Sequence, residues 1–435
     1  MIRKSMKQIS LFLALVLSIP LTFSACEQKQ KEIKISSDVK QEMKNEEKNA
    51  SKIVKIKDLD LGNMIYTPIC WKDDENIVVT DGGSKNNNEI DVENINMGDI
   101  NVYNVNIKTS KDSKVNTIKD AVCGEVGSKD MYGNFLYMKD NKVCMYNAIE
   151  NTEKSIYDLS SIIKEQKENL KIKDEKELLK RIYCGFVLGS DKCIYVMAQT
   201  SDINCSIRVI NTKTGKVTEG SFPVGYFPNL GNVQSLYSLA YNKNKDIFYV
   251  TSIYYNFIYE CKLKGEKSII RKRTNAAGQI FDISEDGNDL YLNSLYYKKG
   301  KMGIIKYDME KDKVTEITSD YMDKNGKSQI SLFVDVAANY NNNIIGYSIN
   351  NTVYEKDNKT VSKIQATSFI GDFDGKEIKN NVMLPVEQME DKNNNNRIMI
   401  NKKGDSFIYT VLYSDYKDNI IKMYKMKSYV YQVKK

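Results

Sequence analysis

One segment constrains the fold of this chain more than any other feature: between Gln279 and Thr318 it reads as four short strands in succession. Gln279-Ile-Phe-Asp-Ile-Ser284 runs into a turn at Glu285-Asp-Gly-Asn288, and Asp289 to Tyr297 into a turn at Lys298-Lys-Gly-Lys301. Met302 to Met309 then meets a turn at Glu310-Lys-Asp-Lys313, and Val314-Thr-Glu-Ile-Thr318 ends the unit. Alternating or apolar runs broken by Gly, Asn, Asp and Lys predict strands joined by tight polar turns. Four of them in a row predict one antiparallel sheet.

The unit recurs. Ile207-Arg-Val-Ile-Asn-Thr-Lys-Thr-Gly-Lys-Val217 and Ile304-Ile-Lys-Tyr-Asp-Met-Glu-Lys-Asp-Lys-Val314 superpose without a gap, and looser copies begin at Val102, Val143, Ile258, Val353 and Ile421. Successive copies are 41, 64, 51, 46, 49 and 68 residues apart, mostly near the repeat length of a propeller blade. The two long spacings are assigned to insertions: Leu159 to Arg181, whose apolar periodicity predicts helix, and a polar stretch from about Phe369 to Asn396 that ends in Lys392-Asn-Asn-Asn-Asn396. Seven copies predict an all-β fold, a β-propeller of seven four-stranded blades with one helical insertion. Six or eight blades stay open, because Ile53-Val-Lys-Ile-Lys57 could supply a further strand. A radial array packs each sheet on two neighbours, which buries many of the chain's 29 Tyr residues and protects sheet edges. The rival arrangement, a pair of β-sandwiches, predicts no regular four-strand period.

From roughly Asn63 to Lys435 the unit resembles the blades of seven-bladed bacterial propellers of the TolB-like and YncE-like kind. The likeness lies in the inner strand, the Asp-Gly turn, the apolar strand and the closing turn Thr214-Gly-Lys216. It implies the fold and carries no binding or catalytic position with it.

Ahead of the repeats stands a targeting segment. Met1-Ile-Arg-Lys-Ser-Met-Lys7 is basic, Ile9 to Ile19 is apolar, and Pro20 with small residues follows, the order of a secretory signal. The apolar run is too short to span a bilayer, which takes roughly 20 residues. Its end, Leu21-Thr-Phe-Ser-Ala-Cys26, resembles the bacterial lipobox, with Phe23 where Leu is commoner. The resemblance implies removal of residues 1–25, acylation of Cys26 and anchorage on the outer face of the cytoplasmic membrane. Residues 26–51 are nearly all Lys, Glu, Gln, Ser and Asn, too polar to offset the entropy of ordering, and predict a flexible linker ahead of a propeller domain at 52–435.

Composition excludes more chemistry than it suggests. There is no His, which removes His-activated nucleophiles, His-ligated zinc and His general bases together. The seven Cys beyond Cys26 (residues 70, 123, 144, 184, 193, 205 and 261) show no C-x-x-C spacing and lie mostly in apolar runs, so they are expected to be free thiols packed as small hydrophobes. The positive excess is seven charges, but it comes from Lys interleaved with acids, and only six residues are Arg; no nucleic-acid partner is expected. No motif requires a cofactor. Asp372, Asp374 and Glu377, in Gly371-Asp-Phe-Asp-Gly-Lys-Glu377, are weak candidates for a cation loop, with a hairpin turn on Asp374-Gly375 the better reading. The leading functional expectation is a membrane-anchored scaffold for a protein, peptide or glycan ligand. The alternative is a carboxylate-based hydrolase or lyase acting on wall or extracellular polysaccharide. The helical insertion is expected to be a lid, a partner contact or an inert surface feature.

Overall fold

In the structure, a computed structural model, residues 53–434 are described apart from 63, 82–88, 92–96, 123–127, 131, 191, 202–203, 224–236, 253–257, 265–268, 274–277, 299–300, 320–330, 340–341, 354–362, 386–392 and 418–419. Seven antiparallel four-stranded sheets form a ring, a seven-bladed β-propeller. From the inner to the outer strand, blade 1 is Tyr66–Trp71, Asn76–Asp81, Met97–Asn106 and Lys111–Val122. Blade 2 is Ser128–Lys129, Asn134–Lys139, Lys142–Asn147 and Thr152–Asp158, and blade 3 is Ile182–Phe186, Cys193–Gln199, Asn204–Asn211 and Val217–Pro223. Blade 4 is Tyr237–Asn242, Ile247–Ser252, Ile258–Lys262 and Ile269–Arg273; blade 5 is Gln279–Ile283, Asp289–Lys298, Lys301–Asp308 and Lys313–Ser319. Blade 6 is Ser331–Asn339, Ile344–Val353, Lys363–Phe373 and Ile378–Leu384.

Blade 7 takes three strands from the C-terminus, Asn393–Ile400, Ser406–Lys417 and Ile420–Val433. Its outer strand is Ile53–Leu59, from the other end of the chain. The two run antiparallel, Ile53 opposite Val433 and Leu59 opposite Ser428. The run that left the blade count open therefore completes the seventh blade and closes the ring.

The blade strands are apolar on both faces because each sheet is covered on both faces. In Cys193–Gln199, Ile194, Val196 and Ala198 pack with blade 2, while Tyr195 and Met197 pack with blade 4. The same division holds all the way round. Seven buried clusters fill the seven interfaces, from blades 1 and 2 (Ile69, Val78, Phe135, Tyr146) to blades 7 and 1 (Leu59, Trp71, Val79, Ile408, Val430). A core built only from such pairwise interfaces needs no central cluster, and each fully buried large side chain contributes roughly 1.5–3 kcal/mol.

The expected helical insertion is present as two helices, α1 (Ser160–Leu170) and α2 (Glu175–Leu179), broken at Lys171, which is left-handed. Asp174 caps α2 by accepting from the Lys176 N–H at 3.0 Å. Leu159, Ile162, Ile163, Leu178 and Leu179 are buried against Met138 of blade 2 and Ile182, Ile194 and Val196 of blade 3. The insertion thus wedges its apolar face into the interface of blades 2 and 3.

Two expectations are corrected. Val353 ends the second strand of blade 6, so the copy placed there was out of phase; the third strand is Lys363–Phe373. Residues 369–396 are consequently not an insertion. They hold the end of that third strand, the outer strand of blade 6 and the start of the inner strand of blade 7. The extra length of this blade lies instead in the connections 320–330 and 354–362.

Candidate functional site

The two ends of the ring differ. At one end every blade turns from inner to second strand, and blades 1 to 6 also from third to outer strand, within four to six residues. Most of these turns share one device. An Asn or Asp at the strand end accepts two backbone N–H groups: Asn106 from Lys108 and Thr109, Asn147 from Ile149 and Glu150, Asn211 from Lys213 and Thr214, Asp308 from Glu310 and Lys311. The residue four places on is left-handed, as at Ser110, Asn151, Gly215 and Asp312. At the opposite end the strands that flank the long connections 82–96, 224–236, 320–330, 354–362 and 386–392 stop and start, and the helical insertion joins blades 2 and 3; within the first connection, Glu89–Asp91 pairs with Ile420–Lys422 of blade 7. Function concentrates on such connections because the scaffold beneath them is rigid and short turns leave nothing to vary.

Beneath the long connections the blades carry a layer of buried polar side chains. Asn394 accepts from the Ala366 N–H and donates to the Ala366 carbonyl, both at 3.0 Å, so its amide substitutes for a strand neighbour. Asn396, fully buried, donates to the Ala366 carbonyl (3.0 Å), Ser368 Oγ (2.9 Å) and Tyr409 Oη (2.9 Å), and Ser368 pairs with Ser348 at 2.8 Å. These bonds join blade 6 to blade 7. Ser238 pairs with Thr251 at 2.8 Å and accepts from the Ile280 N–H at 2.8 Å, joining blade 4 to blade 5. Tyr66 donates to Ser428, which pairs with Thr410 at 2.9 Å, joining blade 1 to blade 7. Burial raises the Tyr66 hydroxyl to about 12, with the Ser428 bond opposing. Asp81 is buried and accepts from the Asn101 N–H and Nδ2 at 3.0 Å and from Tyr103 Oη at 3.1 Å. Because each of these groups is satisfied, the layer fixes the blades' mutual angle without leaving a reactive group.

The inner strands, which face the central axis, carry acids at only two positions, Asp282 and Asp335. Among the described side chains of these strands, the exposed or half-exposed polar, non-aromatic ones are Thr67, Ser128, Lys129, Gln279, Asp282, Asn393, Asn395 and Arg397, Lys129 and Arg397 being exposed. Lys129 donates to the Pro68 carbonyl of the neighbouring blade.

The cation-loop candidates lie at the other end. Gly371 to Glu377 forms the hairpin that joins the third and outer strands of blade 6. Asp374 accepts from the Lys376 and Glu377 N–H groups at 2.9 and 3.1 Å, and these bonds, that of Glu377 first, hold its carboxyl below the usual range. Asp372 accepts from Asn380 Nδ2 at 2.6 Å and Glu377 pairs with Lys379 at 2.6 Å. The three carboxylates serve the turn, and among the described residues no group of three or more Cys, Asp or Glu could hold a metal ion. Cys70, Cys144, Cys184, Cys205 and Cys261 are buried free thiols and Cys193 is half-buried. Desolvation pushes Cys70 up to about 11 and Cys184 and Cys205 to about 12. Cys26 and Cys123 lie outside the described residues. No described helix is long and apolar enough to cross a membrane.

Sequence reasoning passed over Asn394 and Asn396. The period-two pattern Asn394, Asn396, Ile398, Ile400 was the available signal, hidden by a composition that reads as loop.

No family model and no curated protein matches the chain. Solved structures do. An oligogalacturonate lyase in complex with manganese is 12% identical with a TM-score of 0.43, over 85% of this chain and 90% of that one. An oligogalacturonate lyase from Vibrio parahaemolyticus is 10% identical with a TM-score of 0.45, over 88% and 93%. TolB from Acinetobacter baumannii is 11% identical with a TM-score of 0.35, over 78% and 79%.

Proposed function

We propose that this chain is an extracytoplasmic lipoprotein, acylated at Cys26, whose propeller binds a protein, peptide or glycan ligand with the end that bears the long connections. The observation that carries the binding reading is the inequality of the two ends. One is sealed by short turns whose polar groups satisfy one another, and the other gathers every long connection above a rigid polar layer. The inner strands suit a binding channel too, since their described polar side chains are mainly hydroxyl, amide and cationic groups, with Asp282 the one acid among them. The address rests on the order of basic, apolar and small residues ending in Leu21-Thr-Phe-Ser-Ala-Cys26.

Each half has its own test. Cys26→Ser is expected to abolish incorporation of labelled fatty acid and to release the protein from the membrane fraction; unchanged labelling would sink the anchor. For binding, a photoreactive side chain is placed in living cells at Asp140 or Lys173, at the long-connection end, and at Lys213 or Lys243, at the short-turn end. Adducts are expected from the first pair alone. Equal adducts from both ends would overturn the assignment.

A further inference from the structure

The last blade is unlike the others at its rim. Its third and outer strands carry five lysines, Lys55, Lys57, Lys422, Lys425 and Lys427, to one acid, Asp58, which pairs with Lys55, and Lys434 follows immediately; the short strand Glu89–Asp91, paired with Ile420–Lys422 along the same edge, adds two acids. In blades 1, 2 and 3 the same two strands carry equal numbers of each sign. Lys55, Lys422, Lys425 and Lys434 are exposed. Blade 4 also has a basic strand pair; on blade 7 two apolar side chains are exposed, Ile56 at 52% and Tyr424 at 42%.

Both of those residues sit where a ladder slips. Ile56 falls between Lys55, opposite Tyr431, and Lys57, opposite Val430; Tyr424 falls where the pairing of the second and third strands shifts by one residue. A bulged residue leaves the in-and-out alternation and can be re-aimed outward. A lysine-rich strand pair with an aliphatic and an aromatic side chain turned to solvent, roughly 20 Å apart along the strand, has the composition of a surface that lies on anionic lipid, with cations at the headgroups and apolar tips between them.

The position of the tether names the occupant. Ile53, the first described residue, opens the outer strand of this same blade. Residues 27–52 separate it from Cys26, and a coil of that length, as their polar composition predicts, spans about 30 Å on average. Resting on the anchoring reading of Cys26, we infer that the outer edge of blade 7 docks on the anionic headgroups of the bilayer that holds the lipid, so that the ring stands on its rim with its axis along the membrane. Both ends of the channel then stay open to partners, and the linker presents the rim at high local concentration.

The test uses the full chain carrying Cys26→Ser, so that no acyl group contributes, with vesicles of phosphatidylcholine with and without phosphatidylglycerol. The wild-type rim is expected to favour the anionic vesicles, and raised salt should weaken that preference. Converting Lys55, Lys422, Lys425 and Lys434 to Gln should reduce the preference by roughly tenfold or more. Converting Lys111, Lys114, Lys213 and Lys216, exposed on blades 1 and 3, should leave it within twofold. Equal losses from the two variants, or no loss from the first, would overturn the proposal. Fatty-acid labelling of Cys26 is read separately in cells, so failure of the anchor and failure of the rim are told apart.

Discussion

Asn396 shows how a polar residue can be structural at the centre of an apolar fold. Its amide is fully buried and gives three hydrogen bonds across the interface of blades 6 and 7, to Ala366, Ser368 and Tyr409. An unsatisfied buried group costs about 1–3 kcal/mol, and Asn396→Leu would take a bond from Ala366, Ser368 and Tyr409 at once, though Ala366 keeps Asn394 and Ser368 keeps Ser348. The substitution is expected to lower unfolding stability by about 2–4 kcal/mol, whereas Asn395→Leu, at the half-exposed neighbour, should stay near 0.5 kcal/mol. Urea unfolding followed by the single Trp71 measures both; a small effect at Asn396 would mean that the amide network adds nothing. Such a role was illegible in the sequence for a physical reason. Composition marks Lys392-Asn-Asn-Asn-Asn as unable to build a core, and only a neighbour's backbone, here Ala366 of another blade, turns two of those amides into interface groups.

Strands and turns were far more legible, because their causes are local. The turn device at the sealed end is written in adjacent residues, as in Tyr307-Asp308 with Asp312, where Tyr307 donates to Asp312, and in Tyr146-Asn147 with Asn151, where Tyr146 donates to Asn151. Asp374 belongs to the same economy of turns. A carboxylate followed by glycine looks like an ion ligand until its acceptors are found to be filled by Lys376 and Glu377. Two glycines separate conformational strain from packing. Gly215 and Gly287 have nearly equal angles, φ +71° and +72°. A Cβ at Gly215 would meet nothing within 4 Å, but at Gly287 it would lie 2.7 Å from Asn242 Cγ. That amide donates to the Gly287 carbonyl at 2.6 Å, tying blade 4 to blade 5. Gly215→Ala should therefore cost about 1 kcal/mol, the backbone term alone. Gly287→Ala should cost about 2–4 kcal/mol, because the clamp must also move. Similar losses in thermal unfolding would show that only the backbone angle matters.

At the scale of the molecule, the repeat announced seven blades, but not how the ring closes, since closure pairs Ile53–Leu59 with a strand that begins at Ile420. No local pattern records a partner that distant. The consequence is energetic as well as topological. In an open array each blade contacts its chain neighbours only, and stability adds up interface by interface; here one further interface, between blades 7 and 1, is completed by the N-terminal strand, beside direct contacts such as Tyr66 to Ser428 and Trp71 to Met399. Leu59 is the pin. It is 5% exposed, pairs opposite Ser428, and packs with Trp71, Ile77 and Val79 of blade 1 and Ile408 and Val430 of blade 7. Leu59→Ala is expected to cost about 2–4 kcal/mol as a core truncation. Leu59→Asp should cost more, because a carboxylate there has no partner to offset its desolvation. The informative readout is where protection is lost. Hydrogen exchange in Leu59→Asp should quicken in blades 7 and 1 while blades 3, 4 and 5 keep their protection, since their interfaces do not involve the closing strand. Uniform loss around the ring would mean that the propeller opens as one unit and that the N-terminal strand is not its separate latch.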